Sequence, residues 1–532
     1  MRSWVKFALR FTNFRAMKRF GWVILLSIVS YSANFWGYPI YILDEARNAA
    51  CAMEMAARHD WVVPTFNNEL RTDKPPLHYF FMRAAYAVFE VNPFSARLFS
   101  ILMGVLTVCV VYFFTTRLVN EKTGWLASLI LIASLQMMFQ FHLAVPDPYL
   151  IFFFTLGMFS FVYAWRTHRK IFFYLTYASL ALAFMAKGPL APGLAGLTVL
   201  LFLILRKEFS FHTLNRIQVW GGAVLFLALV LPWWVAVTLE TQGEWTRGFF
   251  FEHNLQRFSS SMEGHTGFPG LAIAYFLAAL LPLGFFAPGA LVKAWRARHD
   301  QPVIFFVALS ALVVVVFFSV SRTILPGYLS PAVPFAAVIL AWHFEQLRQV
   351  RAVHHVLVGL LALVSLALPV VGFVALRQDP LVSSEAALAW WILLAVPGVG
   401  VGWYYLANRK VFQFVYATLL SFAVMGVMLF YLVMPRLMQH NPVALSVAEL
   451  SIGAQTPVAC FVRTNAAYVF NLRRTYPYLG SPEQVQEWLT ANPGGLILTR
   501  DDEAPALQRL NLKTRFTGRD LFENHTTVVL SN

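Results

Sequence analysis

Runs of about twenty apolar residues recur along most of this chain, and a soluble fold cannot bury so many of them. Candidate spans lie near 20–38, 95–116, 124–142, 148–165, 171–186, 189–205, 217–239, 268–291, 302–320, 328–344, 353–376, 387–406 and 411–434, thirteen in all. Hydrophobic residues make up 58% of the 532 positions and charged residues 13%, against about 45–50% and about 25% in an ordinary soluble domain. Mean hydropathy is +0.61. The runs lack the period-2 alternation of outer-membrane strands, so the chain reads as a polytopic α-helical membrane protein rather than a barrel.

The formal charge of +15 would point to nucleic acid in a soluble protein. Here the cations fall in clusters between apolar runs, with no basic stripe carrying interleaved aromatics, so nucleic acid is not the partner. With the N-terminus inside, the inner loops hold Arg117/Lys122, Arg166/Arg169/Lys170, Arg206/Lys207/Arg216, Lys293/Arg296/Arg298, Arg348/Arg351 and Arg409/Lys410. Every inner loop is then basic, as the positive-inside rule requires. The expected topology is N-terminus in and C-terminus out. The first twenty residues carry six basic and no acidic side chains. The long run after them has no A-x-A ending, which predicts an uncleaved signal anchor.

The outer face then receives two long loops, 39–94 and 240–267, and a tail from about 435. This divides the chain into a transmembrane domain, 1–434, and a small outer α/β domain, 435–532. In the tail, VACFV, AYVFNL, GLILTR and TTVVLSN read as strands, and SPEQVQEWLTANPGG as a capped helix ending at glycine. A Cys51–Cys460 bridge suits an oxidising compartment, although nothing in the spacing requires it.

The informative polar residues sit at the outer ends of spans. In ILDEARNAACAMEMAA, residues Ile42, Ala46, Ala49, Met53 and Ala57 have the spacing of an amphipathic interfacial helix. Asp44 and Arg47 share one face of it. Taken alone, Asp44 reads as the N-cap. In Asp73-Lys74-Pro75-Pro76 the prolines hold Lys74 on an extended, stiff segment; by itself it is a snorkelling lysine. Asp147, in the VPDPYL turn, is costly near the bilayer unless hydrated or paired. In FFFEHNLQRF, His253 and Arg257 are four apart and could share a helix face. Lys187, Arg322 and Tyr328 also fall at outer span ends, where anchoring is the simplest account. Together these cations and carboxylates are suited to holding the phosphate of an anionic lipid while a bond to it changes.

The series L-D-E-A-R, D-K-P-P-L, P-D-P, A-K-G-P, P-W-W, F-F-F-E-H-N-L-Q-R-F and S-R-x-x-x-P-G-Y-L-x-P resembles the GT-C membrane glycosyltransferases of the bacterial protein-mannosyltransferase/ArnT type, in order and over nearly the whole chain. That resemblance implies a GT-C fold of about thirteen spans with a small periplasmic C-terminal domain, in the bacterial inner membrane. It implies transfer of a sugar from a polyprenyl (undecaprenyl) phosphate carrier to a periplasmic acceptor, with lipid A and an aminoarabinose-type modification expected first. Mannose, galacturonic acid or another sugar going to protein, lipid or glycan hydroxyls is the alternative. By position, Asp44 and Asp147 correspond to the active-site carboxylates. Arg47, Lys74, Arg257, Arg322 and Tyr328 correspond to contacts for the carrier phosphate, with Lys187 and Glu252 as further site residues. Asp73 and His253 match positions that can hold a divalent metal ion in relatives; no cofactor is otherwise required. Asp73-Lys74-Pro75-Pro76 is closer to the broad family pattern than to aminoarabinose transferases, whose motif has glutamate first and no second proline, so sugar and acceptor stay open. A lipid-linked sugar transporter would place polar groups at mid-membrane and repeat its halves; the span centres here carry few charges and no repeat is visible.

Overall fold

The computed structural model describes residues 14–251, 269–321 and 324–532. Among them, eight helices are long and apolar enough to cross a bilayer, nine if the bent pair Glu121–Ala133 and Leu135–Phe141 is one span. The chain is thus polytopic and α-helical, with an α/β tail. Five of its helices place the site: α1 (Leu43–Ala57), α2 (Leu77–Phe89), α3 (Pro93–Leu118), α4 (Asp147–Thr167) and α5 (Lys170–Lys187).

Local chemistry sets the ends of these helices. Asn92 accepts from the Ser95 amide at 3.0 Å while the Ser95 hydroxyl accepts from the Asn92 amide at 3.2 Å. Pro93 fills the first turn, where no amide is needed, so α3 starts there. α4 and α5 form a tight hairpin. His168 turns left-handed with φ of 57° and closes α4, and α5 starts at Lys170. The antiparallel pairing returns the end of α5 to the start of α4.

Two expected spans are broken. The 124–142 run bends by 66° at Ser134, whose hydroxyl accepts from the Met137 amide and donates to the Ala279 carbonyl at 2.8 Å. The 268–291 run is helical over Pro269–Ala279, then turns before Ala287–Arg296. Apolar content alone does not record where such a backbone finds a side-chain partner.

The first long loop differs from expectation. α1 is buried nearly all round, including Glu45, Asn48 and Glu54, and is not an amphipathic interfacial helix. Its many alanines allow close packing on every side. Beyond it, β1 (Thr65–Phe66) and β2 (Glu69–Leu70) pair across Asn67 and Asn68. Both asparagines have positive φ, 52° and 66°, the geometry that suits a two-residue hairpin turn. Glu54 accepts from both of their amides.

The tail builds a five-stranded sheet in the order β4-β3-β5-β7-β6, from β3 (Val458–Phe461), β4 (Tyr478–Leu479), β5 (Leu496–Arg500), β6 (Lys513–Arg519) and β7 (Thr526–Ser531). β3 lies parallel to β4 and β5, with Ala459 opposite Ile497; β7 runs antiparallel to β5 and β6, with Leu498 opposite Val529. Ser481 caps a helix over Pro482–Ala491, which buries Val485 and Leu489 with Ala459, Ile497 and Leu530. AYVFNL is a helix, Ala467–Asn471, not a strand. A short, mainly apolar run has no period to separate the two, and the Asn465 side chain accepts from the Ala467 amide to start the turn. Cys51 and Cys460 are both free and buried, so the bridge does not form. Burial pushes the Cys51 thiol up to about 12.

Candidate active site

Asp44 is exposed in the first turn of α1. It is not the N-cap: Ile42 holds that position, with no side-chain cap. Asp44 has no hydrogen-bond or ion-pair partner among the described residues. Its neighbour Glu45 is the opposite, buried and fully engaged. Glu45 Oε1 accepts from Arg97 Nε at 2.7 Å and from the Ala144 amide at 2.9 Å, and Oε2 accepts from Arg97 Nη2 at 2.8 Å. Arg97 Nη1 donates in turn to the carbonyls of Phe35 and Tyr38. This buried pair fastens the start of α1 to the turn leading into Asp147.

Asp147 opens α4, and Lys187 closes α5. The hairpin brings Lys187 Nζ to 2.6 Å from Asp147 Oδ1, with both side chains largely buried. A helix N-terminus favours the anion and a C-terminus the cation, so both dipoles support the pair. Lys187 Nζ also lies 5.4 Å from the centre of the Tyr328 ring. Tyr328 lies in a 3₁₀ turn, Pro326–Ala332, and packs on Phe318. Gly188 follows Lys187 at φ +80°, and a Cβ there would meet the Phe249 ring at 2.6 Å. Glycine is therefore required by both backbone and space.

Lys74 and Asp73 lie on the irregular segment before α2, half-buried. Asp73 Oδ2 is 3.2 Å from Arg71 Nη2. Arg71 Nη2, His78 Nε2 and the Tyr79 hydroxyl converge on Asn48 Oδ1 at 3.4, 3.2 and 3.2 Å, tying this segment to α1. Burial, then the charge of Arg71, hold His78 well below its ordinary value, so it is neutral. Trp245 Nε1 donates to the Arg71 carbonyl at 2.7 Å, which fixes the second long loop against the first. Arg47, on α1, is half-buried.

The structure thus gathers Asp147, Lys187 and Tyr328 into one cluster. It links α1, with Asp44 and Arg47, to that cluster through Glu45, and to the Asp73–Lys74 segment through Asn48. Glu252, His253, Arg257 and Arg322 lie outside the described residues. Glu45 and Arg97 are the positioning residues that sequence reasoning missed. Their signal was an arginine inside an apolar run, which is costly without a partner.

Of the pair expected to hold a metal ion, Asp73 has Arg71 Nη2 at 3.2 Å from one carboxylate oxygen, and His253 lies outside the described residues. Among the described residues, the metal-compatible grouping is Asp501, Asp502 and His525 in the tail. Asp502 there pairs with Arg463 at 3.0 Å.

Over 96% of this chain and 98% of the other, the structure superposes on ArnT from Cupriavidus metallidurans bound to undecaprenyl phosphate, with a TM-score of 0.78 at 20% identity. The chain has an ArnT-like GT-C fold. The oligosaccharyltransferase of Archaeoglobus fulgidus is a more distant neighbour, with a TM-score of 0.51 at 13% identity, covering 92% of this chain and 70% of that one. Residues 73–235 match the family described as dolichyl-phosphate-mannose-protein mannosyltransferase. An undecaprenyl phosphate-alpha-4-amino-4-deoxy-L-arabinose arabinosyl transferase of Yersinia pestis is 31% identical over 309 residues, 56% of this chain and 54% of the relative. The chain thus spans about half the length of such relatives. The namesake from Serratia proteamaculans is 28% identical over 405 residues, 71% of this chain and 72% of the relative.

Proposed function

We propose that this chain is a glycosyltransferase of the bacterial inner membrane that moves a sugar from undecaprenyl phosphate to an acceptor on the periplasmic face, lipid A with an aminoarabinose-type sugar before others. One observation carries the reading. Of the site aspartates Asp44, Asp73 and Asp147, only Asp44 has no cation against it among the described residues; Asp73 has Arg71 and Asp147 has Lys187. An exposed carboxylate in the first turn of α1, a helix that Glu45 fastens to the turn leading into Asp147, suits charge or proton work at an anomeric carbon. The named relatives and the superposed carrier complex support the same chemistry. The topology that goes with it has thirteen crossings, N-terminus inside, with a transmembrane domain 1–434 and a periplasmic domain 435–532.

In the proposed reaction the acceptor oxygen attacks the anomeric carbon. The bond from that carbon to the carrier phosphate oxygen breaks, and its electron pair leaves with the phosphate. Lys74 and Arg47, joined by Arg257, Arg322 and Tyr328, hold that phosphate and stabilise the charge it gains. Lys187 holds Asp147 in place through the 2.6 Å contact of its Nζ with Oδ1. For a hydroxyl acceptor the displaced proton passes to Asp44. For a lipid A phosphate no proton moves, and Asp44 faces the positive charge developing on the sugar.

The test is mass spectrometry of lipid A and envelope glycans from cells with the wild-type chain, without it, and with Asp44→Asn. Loss of a pentosamine mass from lipid A in the last two is expected. In a reconstituted transfer assay Asp44→Asn should lose about 10²–10⁴-fold in turnover if Asp44 takes a proton, with an unchanged melting curve. A change confined to another glycan would overturn the lipid A acceptor. Near wild-type turnover of Asp44→Asn would overturn its catalytic role.

A further inference from the structure

α4 has 21 residues, so its far end lies about 30 Å from Asp147. At that end, between the α4–α5 turn and the 206–216 segment, is a recess of about 560 Å³. Arg166, Lys207 and Arg216 line it, with one carboxylate, Glu208. That carboxylate is already used: Oε1 accepts from Arg206 Nε at 2.9 Å and Oε2 from Trp165 Nε1 at 3.0 Å. None of the three lining cations has a carboxylate partner among the described residues.

Two further observations point to an anionic ligand. The Arg216 Nε is buried with no acceptor, an arrangement that is costly unless a ligand supplies one. The Ser210 and Thr213 hydroxyls, 3.0 Å apart, need only one of their two protons for their mutual bond, leaving the other to donate into the recess. Three cations and a hydroxyl donor around a small polar cavity match a phosphate. Large apolar side chains stand beside it: Phe209 is 53% exposed, Phe211 67% and Trp220 60%. A soluble anion would not need them, whereas acyl chains would cover them.

We propose that this recess binds the phosphodiester of an anionic glycerophospholipid, at the membrane face opposite the active site. Basic pockets between membrane helices take such head groups. The site is independent of the transfer chemistry and uses none of its residues.

Native mass spectrometry of the full chain in mild detergent tests it, with phosphatidylglycerol, phosphatidylcholine and inorganic phosphate as probes. Phosphatidylglycerol should be retained in preference to phosphatidylcholine and should not be displaced by millimolar inorganic phosphate. Lys207→Ala should lower its retention about fivefold, and Lys207→Ala with Arg216→Ala by about the square of that. If the second variant melts early, Arg166→Gln with Lys207→Gln, both at exposed positions, carries the same test. Equal retention of the two lipids, or retention unchanged in the variants, would overturn the site. Displacement by inorganic phosphate would assign it to a soluble phosphoanion and overturn the lipid.

Discussion

At the scale of single residues, the neighbours Asp44 and Glu45 have opposite roles. Asp44 faces solvent without a partner among the described residues, while Glu45 is sealed against Arg97 and the Ala144 amide. The motif LDEAR puts both on the first turn of a helix, and nothing local in it shows which of the two is buried. Only the position of Arg97, some fifty residues away, separates them. Removing one member of a buried pair leaves the other charged and unsolvated, which costs about 3–5 kcal/mol. Glu45→Gln should therefore lower stability by that amount in detergent melts. Adding Arg97→Met should recover part of it, because no buried charge then remains. Transfer should stay impaired in both, since the anchor between α1 and the Asp147 turn is gone. Full activity in Glu45→Gln would show that this anchor does not set the site.

At the scale of elements, the α4–α5 hairpin delivers Lys187 to Asp147, and its last turn depends on Gly188. Alanine there would have to hold φ near +80° and would press on Phe249. Gly188→Ala should cost more than about 1 kcal/mol and slow transfer by shifting Lys187. A melt and a turnover measurement on the same preparation check both. The apolar runs, the A-K-G-P break and the Ser481-capped helix were legible because each has a local cause: hydropathy, a left-handed glycine, a capping hydroxyl. Other features were not, because their causes are distant. The bend at Ser134 depends on the Ala279 carbonyl, and the burial of α1 depends on what packs around it. AYVFNL carried no period at all. The site residues were legible as an ordered series of motifs, but their pairing was not, since an ion pair between residues as far apart in sequence as Asp147 and Lys187 follows from hairpin geometry.

For the whole molecule, the central question is how the tail is held to the membrane domain. Asn471 Nδ2 donates to the Ile40 carbonyl at 2.9 Å, and Tyr41 donates to Asp520 and accepts from the Leu521 amide. Asp520 is pushed above the ordinary carboxylate range by burial, against hydrogen bonds from Thr527 and Asn465. The folded, docked state thus binds its proton more tightly than the unfolded one. The associated stability is full below the ordinary carboxylate pKa of about 4 and is lost as pH rises through the raised value. Protection of the β7 amides, taken relative to intrinsic exchange at each pH, should accordingly be greater in mildly acidic buffer than at neutral pH, and Asp520→Asn should flatten that difference. An unchanged pH profile in Asp520→Asn would remove Asp520 as its source.

The hairpin at Asn67 has a consequence for exchanging parts between relatives. Asn67 Nδ2 donates to the Tyr476 carbonyl and its Oδ1 accepts from the Tyr476 amide, each at 2.9 Å. The side chain thus behaves as one rung of a strand laid against the tail. A rung of this kind tolerates no slip, because a shift of one residue would leave both backbone groups of Tyr476 unmet. A chimera that imports a foreign tail should therefore import residues 40–68 as well, so that both halves of the joint come from one parent.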